Sequence, residues 1–165
     1  MDNFVLMQRD IAYREKFATP PKQIKMIDRT SQNTDIIYLE VNLPFPMTNR
    51  DFVQKRLFVC NKEDPELARK LGLFDWSHKY YAILVQSTES ADCPEKSKPI
   101  RGDTKMHHML LEEDPNDKSV LKVKMVMSQA MKGDIPQIIM GAVAKKMPKM
   151  MMGGFMASYK NFFGN

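Results

Sequence analysis

The last third of the chain constrains the fold most. After Gly133-Asp134, apolar side chains fall at Ile135, Ile138, Ile139, Ala142 and Val143, then Met147, Met150 and Met151, then Phe155, Tyr159, Phe162 and Phe163. This is helical spacing over about 29 residues, roughly 43 Å if unbroken at 1.5 Å per residue. Pro148 is expected to kink the helix and Gly153-Gly154 to loosen it. Its polar side is basic: Lys145, Lys146, Lys149 and Lys160 face no acid after Asp134. Seven of the 15 methionines lie between Met131 and Met156. Methionine is unbranched and adaptable, so a local cluster suits a surface that meets varied apolar shapes.

Ahead of that helix the chain reads mainly as strands. Asp2 to Phe17 predicts one opening helix with Asp2 as N-cap, stopped by Thr19-Pro20-Pro21. Gln23 to Arg29 and Asp35 to Val41 predict a hairpin around Ser31-Gln32-Asn33. Two prolines in Leu43-Pro44-Phe45-Pro46 break the second strand, and Arg50 to Cys60 resumes it. Asp64 to Leu73 predicts a short helix with Pro65 in its first turn. Strands follow at Lys79 to Thr88, Ile100 to Leu111 and Ser119 to Ser128. In the last, Leu121, Val123, Met125 and Met127 alternate with Lys122, Lys124 and Val126, which is period two with one face apolar. Strands in series followed by a long helix predict an α+β domain with that helix laid across a curved antiparallel sheet.

Composition excludes several classes. A length of 165 residues suits one domain. The charge of +5 comes from 25 basic and 20 acidic residues that interleave through most of the chain. That speaks against nucleic acid, whose binders concentrate charge on one face. Cys60 and Cys93 form neither a disulfide framework nor a zinc pattern. The opening Met1-Asp2-Asn3-Phe4 lacks the basic n-region of a secretory signal, which leads to a cytoplasmic expectation. No phosphate loop, nucleophile elbow or zinc-protease motif is present. Adjacent His107 and His108 on a strand point to opposite faces and cannot both hold one ion. The expectation is no cofactor, no metal and no enzymatic activity.

One stretch carries a resemblance. Residues 37–53 read Ile-Tyr-Leu-Glu-Val-Asn-Leu-Pro-Phe-Pro-Met-Thr-Asn-Arg-Asp-Phe-Val. The strand, the Pro-Phe-Pro-Met break and the Asn-Arg-Asp-Phe restart resemble START domains, the steroidogenic acute regulatory protein-related lipid transfer modules, and among them the phosphatidylcholine-binding branch. Tyr13-Arg14 with Phe17, Gln86 to Thr88, Ile100-Arg101, Gly133-Asp134-Ile135-Pro136 and Met147-Pro148 follow in order. The resemblance covers essentially residues 1–165, but as a partial domain. It implies that the first helix, the first strands and the helix after them precede this sequence in the family, leaving the sheet with an open edge.

The resemblance implies a helix-grip fold. A curved sheet wraps a hydrophobic tunnel for one lipid, and the C-terminal helix covers it as a lid. It places Arg14 where the phosphatidylcholine-binding branch has a phosphate-contacting arginine. A strand carboxylate such as Glu40 or Asp51 is the alternative partner. The choline cage of that branch reads Leu39, Phe52 and Lys105 here, and its glutamine reads His107. One aromatic and one cation suit a quaternary ammonium poorly, so the expected cargo is not restricted to phosphatidylcholine. An anionic or small-headed phospholipid fits better, with Lys105 and Arg14 at the headgroup. Arg50, Asp51 and Arg101 match the family and are expected to be structural.

The functional expectation is a lipid-binding and lipid-transfer protein that touches membranes transiently, preferring an anionic surface. Lys145, Lys146, Met147, Lys149, Met150, Met151, Phe155 and Tyr159 are the expected lid and membrane contacts. Three other readings stay open at this level. They are a lipid or small-molecule sensor without transfer, a helix-grip cyclase or hydrolase using His107, and a truncated scaffold that loads no lipid.

Overall fold

The computed structural model describes residues 1–17, 23–73 and 78–164. Its sheet is built from β1 (Gln23–Ser31), β2 (Thr34–Val41), β3 (Arg50–Cys60), β4 (Tyr80–Ser87), β5 (Ile100–Arg101), β6 (Asp103–Glu113) and β7 (Leu121–Ala130). The helices are α1 (Asp2–Arg9), α2 (Ile11–Phe17), α3 (Pro65–Lys70) and α4 (Gln137–Phe163). The strand order is β1-β2-β3-β4-β6-β7, antiparallel throughout, with β5 added parallel beside the start of β3. The sheet is open, with β1 and β7 as its edges.

The expected α+β architecture is present, with two local differences at the N-terminus. The opening helix is two helices, broken at Asp10 (φ −78°, ψ 89°). Asp10 ends α1 and its carboxylate accepts the Tyr13 backbone N–H at 2.9 Å, starting α2. An aspartate that caps so readily competes with helix continuation. The N-cap of α1 is Met1, not Asp2; the Asp2 carboxylate instead accepts from Lys79 Nζ at 2.9 Å. The expected stop at Thr19-Pro20-Pro21 lies outside the described residues.

Period-two alternation divides the sheet into two faces. On the outer face α3 packs over Val59, Ala82 and Leu110, with Asp64 capping it by accepting from Leu67 N at 3.0 Å. On the inner face Phe58, Cys60, Tyr81, Ile83, Val85, Met109 and Leu111 form the main core with Phe4, Val5 and Met7 of α1. Leu121, Val123 and Met125, the apolar series of β7, pack against the same cluster. A second cluster joins Ile11 of α2 to Ile24 and Ile37.

α4 runs unbroken from Gln137 to Phe163, about 40 Å. Its aromatic end docks on the inner-face helices. Phe155 meets Phe4 edge-on at 5.7 Å, and Phe162 meets Tyr13 at 4.3 Å. The Tyr13 hydroxyl donates to the Ser158 carbonyl at 3.0 Å. At the other end the connector from β7 is gripped by Arg50, which is 1% exposed. Its Nε donates to the carbonyls of Met131 (2.7 Å) and Lys132 (3.2 Å), and a terminal nitrogen donates to Lys132 O (2.9 Å). Another terminal nitrogen donates to Thr48 O.

Candidate functional site

Strand register turns the inner face into rows. One row runs Asp35, Arg56, Val85, His107 and Met127 across five strands. The next runs Ile37, Gln54, Ser87, Thr104 and Gln129. Then come Leu39 and Phe52, paired across β2 and β3. Period two puts consecutive rows about 7 Å apart along the strands.

The first row holds charge inside the fold. Arg56 donates to both oxygens of Asp35, Nε at 2.6 Å and a terminal nitrogen at 2.8 Å, with both side chains about 4% exposed. Its other terminal nitrogen donates to Gln8 O at 2.7 Å, which ties α1 to the sheet. All three nitrogens of this guanidinium are thus engaged, and each oxygen of the carboxylate accepts one of its bonds.

Arg14 of α2 stands against that row without a partner. Among the described residues its guanidinium makes no hydrogen bond or ion pair. Burial is the main reason its pKa falls to about 9; Arg56 lowers it further and Asp35 acts the other way. Neither Glu40 nor Asp51 serves it: Glu40 accepts from Asn49 at 2.8 Å, and Asp51 binds Arg101 at 2.9 and 3.1 Å. The strand carboxylates expected as alternatives are therefore engaged elsewhere.

His107 stands in the same row, and its Nε2 is buried with no hydrogen-bond partner. Its pKa is pushed down to about 4, first by burial and then by Arg14 and His108. It is therefore neutral near pH 7. A desolvated cation and an unpartnered imidazole nitrogen side by side form a place for an anion that can also take a hydrogen bond.

The remaining expected residues divide. Leu39 and Phe52 do meet on the inner face, and Phe52 is 1% exposed. A Cβ at Gly102 would lie 2.3 Å from the Phe52 ring, so glycine is required there. Lys105 is not brought to this group: it is exposed, at a register shift between Thr104 and Met106. The extra residue of a bulge reverses the alternation locally. Thr104 faces in instead, and its Oγ1 accepts from Gln54 Nε2 at 2.6 Å and Gln129 Nε2 at 3.0 Å. This trio was missed from sequence. The available signal was Gln54 and Arg56, polar residues at inward parity between Phe52 and Phe58.

On α4, Lys145, Lys146 and Lys149 are exposed and Tyr159 is 38% exposed. Phe155 turns inward onto Phe4. The side chains of Met147, Met150 and Met151 lie outside the described residues. Two further apolar side chains stand in the open: Phe45 (97%) and Ile138 (88%). Between their segments lies a cavity of about 380 Å³ lined by Pro46, Met47, Arg50, Asp134, Pro136 and Ile139, among others.

Among the described residues no helix is long and apolar enough to cross a membrane, and no cluster of His, Cys, Asp or Glu could hold a metal ion.

Comparison with known proteins agrees with this fold. Phosphatidylcholine transfer proteins of Bos taurus and Mus musculus are each 29% identical to the chain over 136 residues, covering 82% of it. The chain spans 56% of the length of these relatives. Human STARD10 shares the fold with a TM-score of 0.73 at 19% identity, covering 96% of this chain and 58% of that one. A STAR-related lipid transfer protein from Xanthomonas axonopodis gives 0.71 at 14% identity, over 96% of this chain and 78% of that one. The START domain pattern matches residues 6–161, and the chain belongs to that family.

Proposed function

We infer that residues 1–165 act as one partial domain that binds a single phospholipid and carries it between membranes. The lipid phosphate sits against Arg14 and His107, and α4 is the cover that lifts for exchange. The observation that carries this reading is Arg14, whose guanidinium makes no hydrogen bond or ion pair among the described residues and whose charged form is disfavoured by burial. Asp35, the carboxylate that acts on it, is already bonded to Arg56, and a phosphodiester supplies both a charge and acceptors. The names of the sequence relatives support carriage rather than catalysis.

The energetics explain why a carrier is needed. Each buried CH₂ is worth about 0.8 kcal/mol, so two acyl chains hold a lipid in its membrane by tens of kcal/mol. An apolar protein interior offers comparable burial, which makes the exchange nearly neutral. Docking at an anionic surface is supported by Lys145, Lys146 and Lys149, which face no acid on α4, and by exposed Phe45 and Ile138.

The test is to incubate the chain with mixed-lipid vesicles, re-purify it and weigh it by native mass spectrometry. One phospholipid per chain is expected. Arg14→Ala should lower loading several-fold while changing the melting temperature little. An equal fall in both would make Arg14 a structural residue and remove the basis of the reading. Fluorescent-lipid transfer between two vesicle populations then separates a carrier from a sensor that never releases its cargo.

A further inference from the structure

The row next to Arg14 and His107 bears on which headgroup this site takes, an inference that rests on the carrier reading above. Gln54 is 3% exposed and Thr104 is 1% exposed. With Gln129 they join three strands through one oxygen, since Thr104 Oγ1 accepts from both amides. Both lone pairs of that oxygen are thereby used, which leaves the hydroxyl proton to donate and the two amide carbonyls to accept. Among the described residues none of these three groups has a further partner. Those unused donors and acceptors can therefore serve a bound molecule.

The charges beside the row are few. Arg56 and Asp35 neutralise each other in a two-bond pair. His107 is uncharged, with its Nε2 unpartnered. Arg14 therefore leaves the group at one net positive charge. A zwitterionic headgroup would bring a second cation with no free carboxylate to meet it. A quaternary ammonium also carries no hydrogen-bond donor and depends on ring faces, and Phe52 is the one ring in these rows. A phosphodiester bearing hydroxyls brings one negative charge for Arg14. Its donors and acceptors then reach across the roughly 7 Å between rows.

We propose that the cargo is an anionic phospholipid with a polyol headgroup, glycerol or inositol in kind, whose phosphate meets Arg14 and whose hydroxyls bond to Gln54, Thr104 and Gln129. Thr104 is the residue that discriminates, because it is the hub of the row.

The experiment uses the full 165-residue chain. It is incubated with vesicles of equal parts phosphatidylcholine, phosphatidylethanolamine, phosphatidylglycerol and phosphatidylinositol, re-purified, and weighed by native mass spectrometry. The expected result is polyol adducts exceeding choline adducts by about tenfold, the size of one good buried hydrogen bond. Thr104→Val should bring that ratio close to one, and Thr104→Ser should keep it. The ratio is read between headgroups within one sample, so it does not depend on how much lipid a variant loads. If Thr104→Val fails to fold, Gln129→Met on the edge strand makes the same test. Choline adducts at parity in the wild type, or a ratio unmoved by both variants, would overturn the headgroup assignment and leave the carrier standing. A folded chain that captures no lipid would overturn the carrier reading and this one with it. A parallel sample with soluble glycerol 3-phosphate and no vesicles completes the set. Adducts there as abundant as from vesicles would assign the site to a small phosphate and overturn the lipid assignment.

Discussion

Arg56 and Asp35 face each other across β3 and β2 in a fully buried, two-bond ion pair, and the same guanidinium reaches the Gln8 carbonyl of α1. One side chain thus joins two strands and a helix. Removing either charge leaves the other stranded away from water. Arg56→Met or Asp35→Asn should each cost about 3–5 kcal/mol, read as a lowered urea midpoint. The double variant Asp35→Asn/Arg56→Met should cost less than the sum of the singles. Additive losses would show that the two charges are not coupled.

His107 gives stability a pH dependence. Its folded pKa is about 4 against an ordinary 6.5. Between those values the unfolded chain binds a proton that the folded chain does not, so stability falls as the pH drops through this window. The full effect is about 3 kcal/mol, at 1.36 kcal/mol per unit. Urea melts at pH 7 and pH 4.5 measure it. His107→Gln should flatten the curve between them, and a slope unchanged in that variant would assign the effect to other groups.

Gly102 is fixed by its neighbour. A methyl group there would overlap the Phe52 ring at 2.3 Å. Gly102→Ala should destabilise by roughly 1–3 kcal/mol through overpacking. Adding Phe52→Leu should recover part of that loss, which a thermal melt of the two variants can check.

Phe45 is 97% exposed, so its removal has nothing to unpack. Phe45→Ser should leave the melting temperature within about 1 °C, since surface changes move stability little. Burying a phenylalanine ring is worth about 1.5–3 kcal/mol, so vesicle co-sedimentation should weaken at least tenfold if the loop inserts. Retained sedimentation would place docking elsewhere, with the lysines of α4 as the next residues to reverse.

The parts of this fold legible in the sequence are those set by long periodic runs. The helical spacing read from Ile135 to Phe163 is α4 from Gln137 onward, and the alternation from Leu121 is β7 with its apolar face inward. What escaped depends on single residues. The bulge beside Lys105 has no pattern of its own, yet it puts Thr104 inside and Lys105 outside. The break at Asp10 is one carboxylate choosing the Tyr13 N–H over a continued helix. Arg14 was legible by resemblance. Its lack of a partner became visible only once Glu40 and Asp51 were seen bonded to Asn49 and Arg101. Long-range pairing of that kind leaves no trace in local spacing.

Tyr13 and Arg14 are consecutive residues of the seven-residue helix α2. The first holds Ser158 and Phe162 of the covering helix, and the second stands unpaired beside the charged row. In the proposed carrier, the residue that meets the phosphate and the residue that holds α4 would therefore be separated by one peptide bond. Occupancy and closure would then share so short a lever that stiffening α2 should change the rate of lipid release more than the affinity.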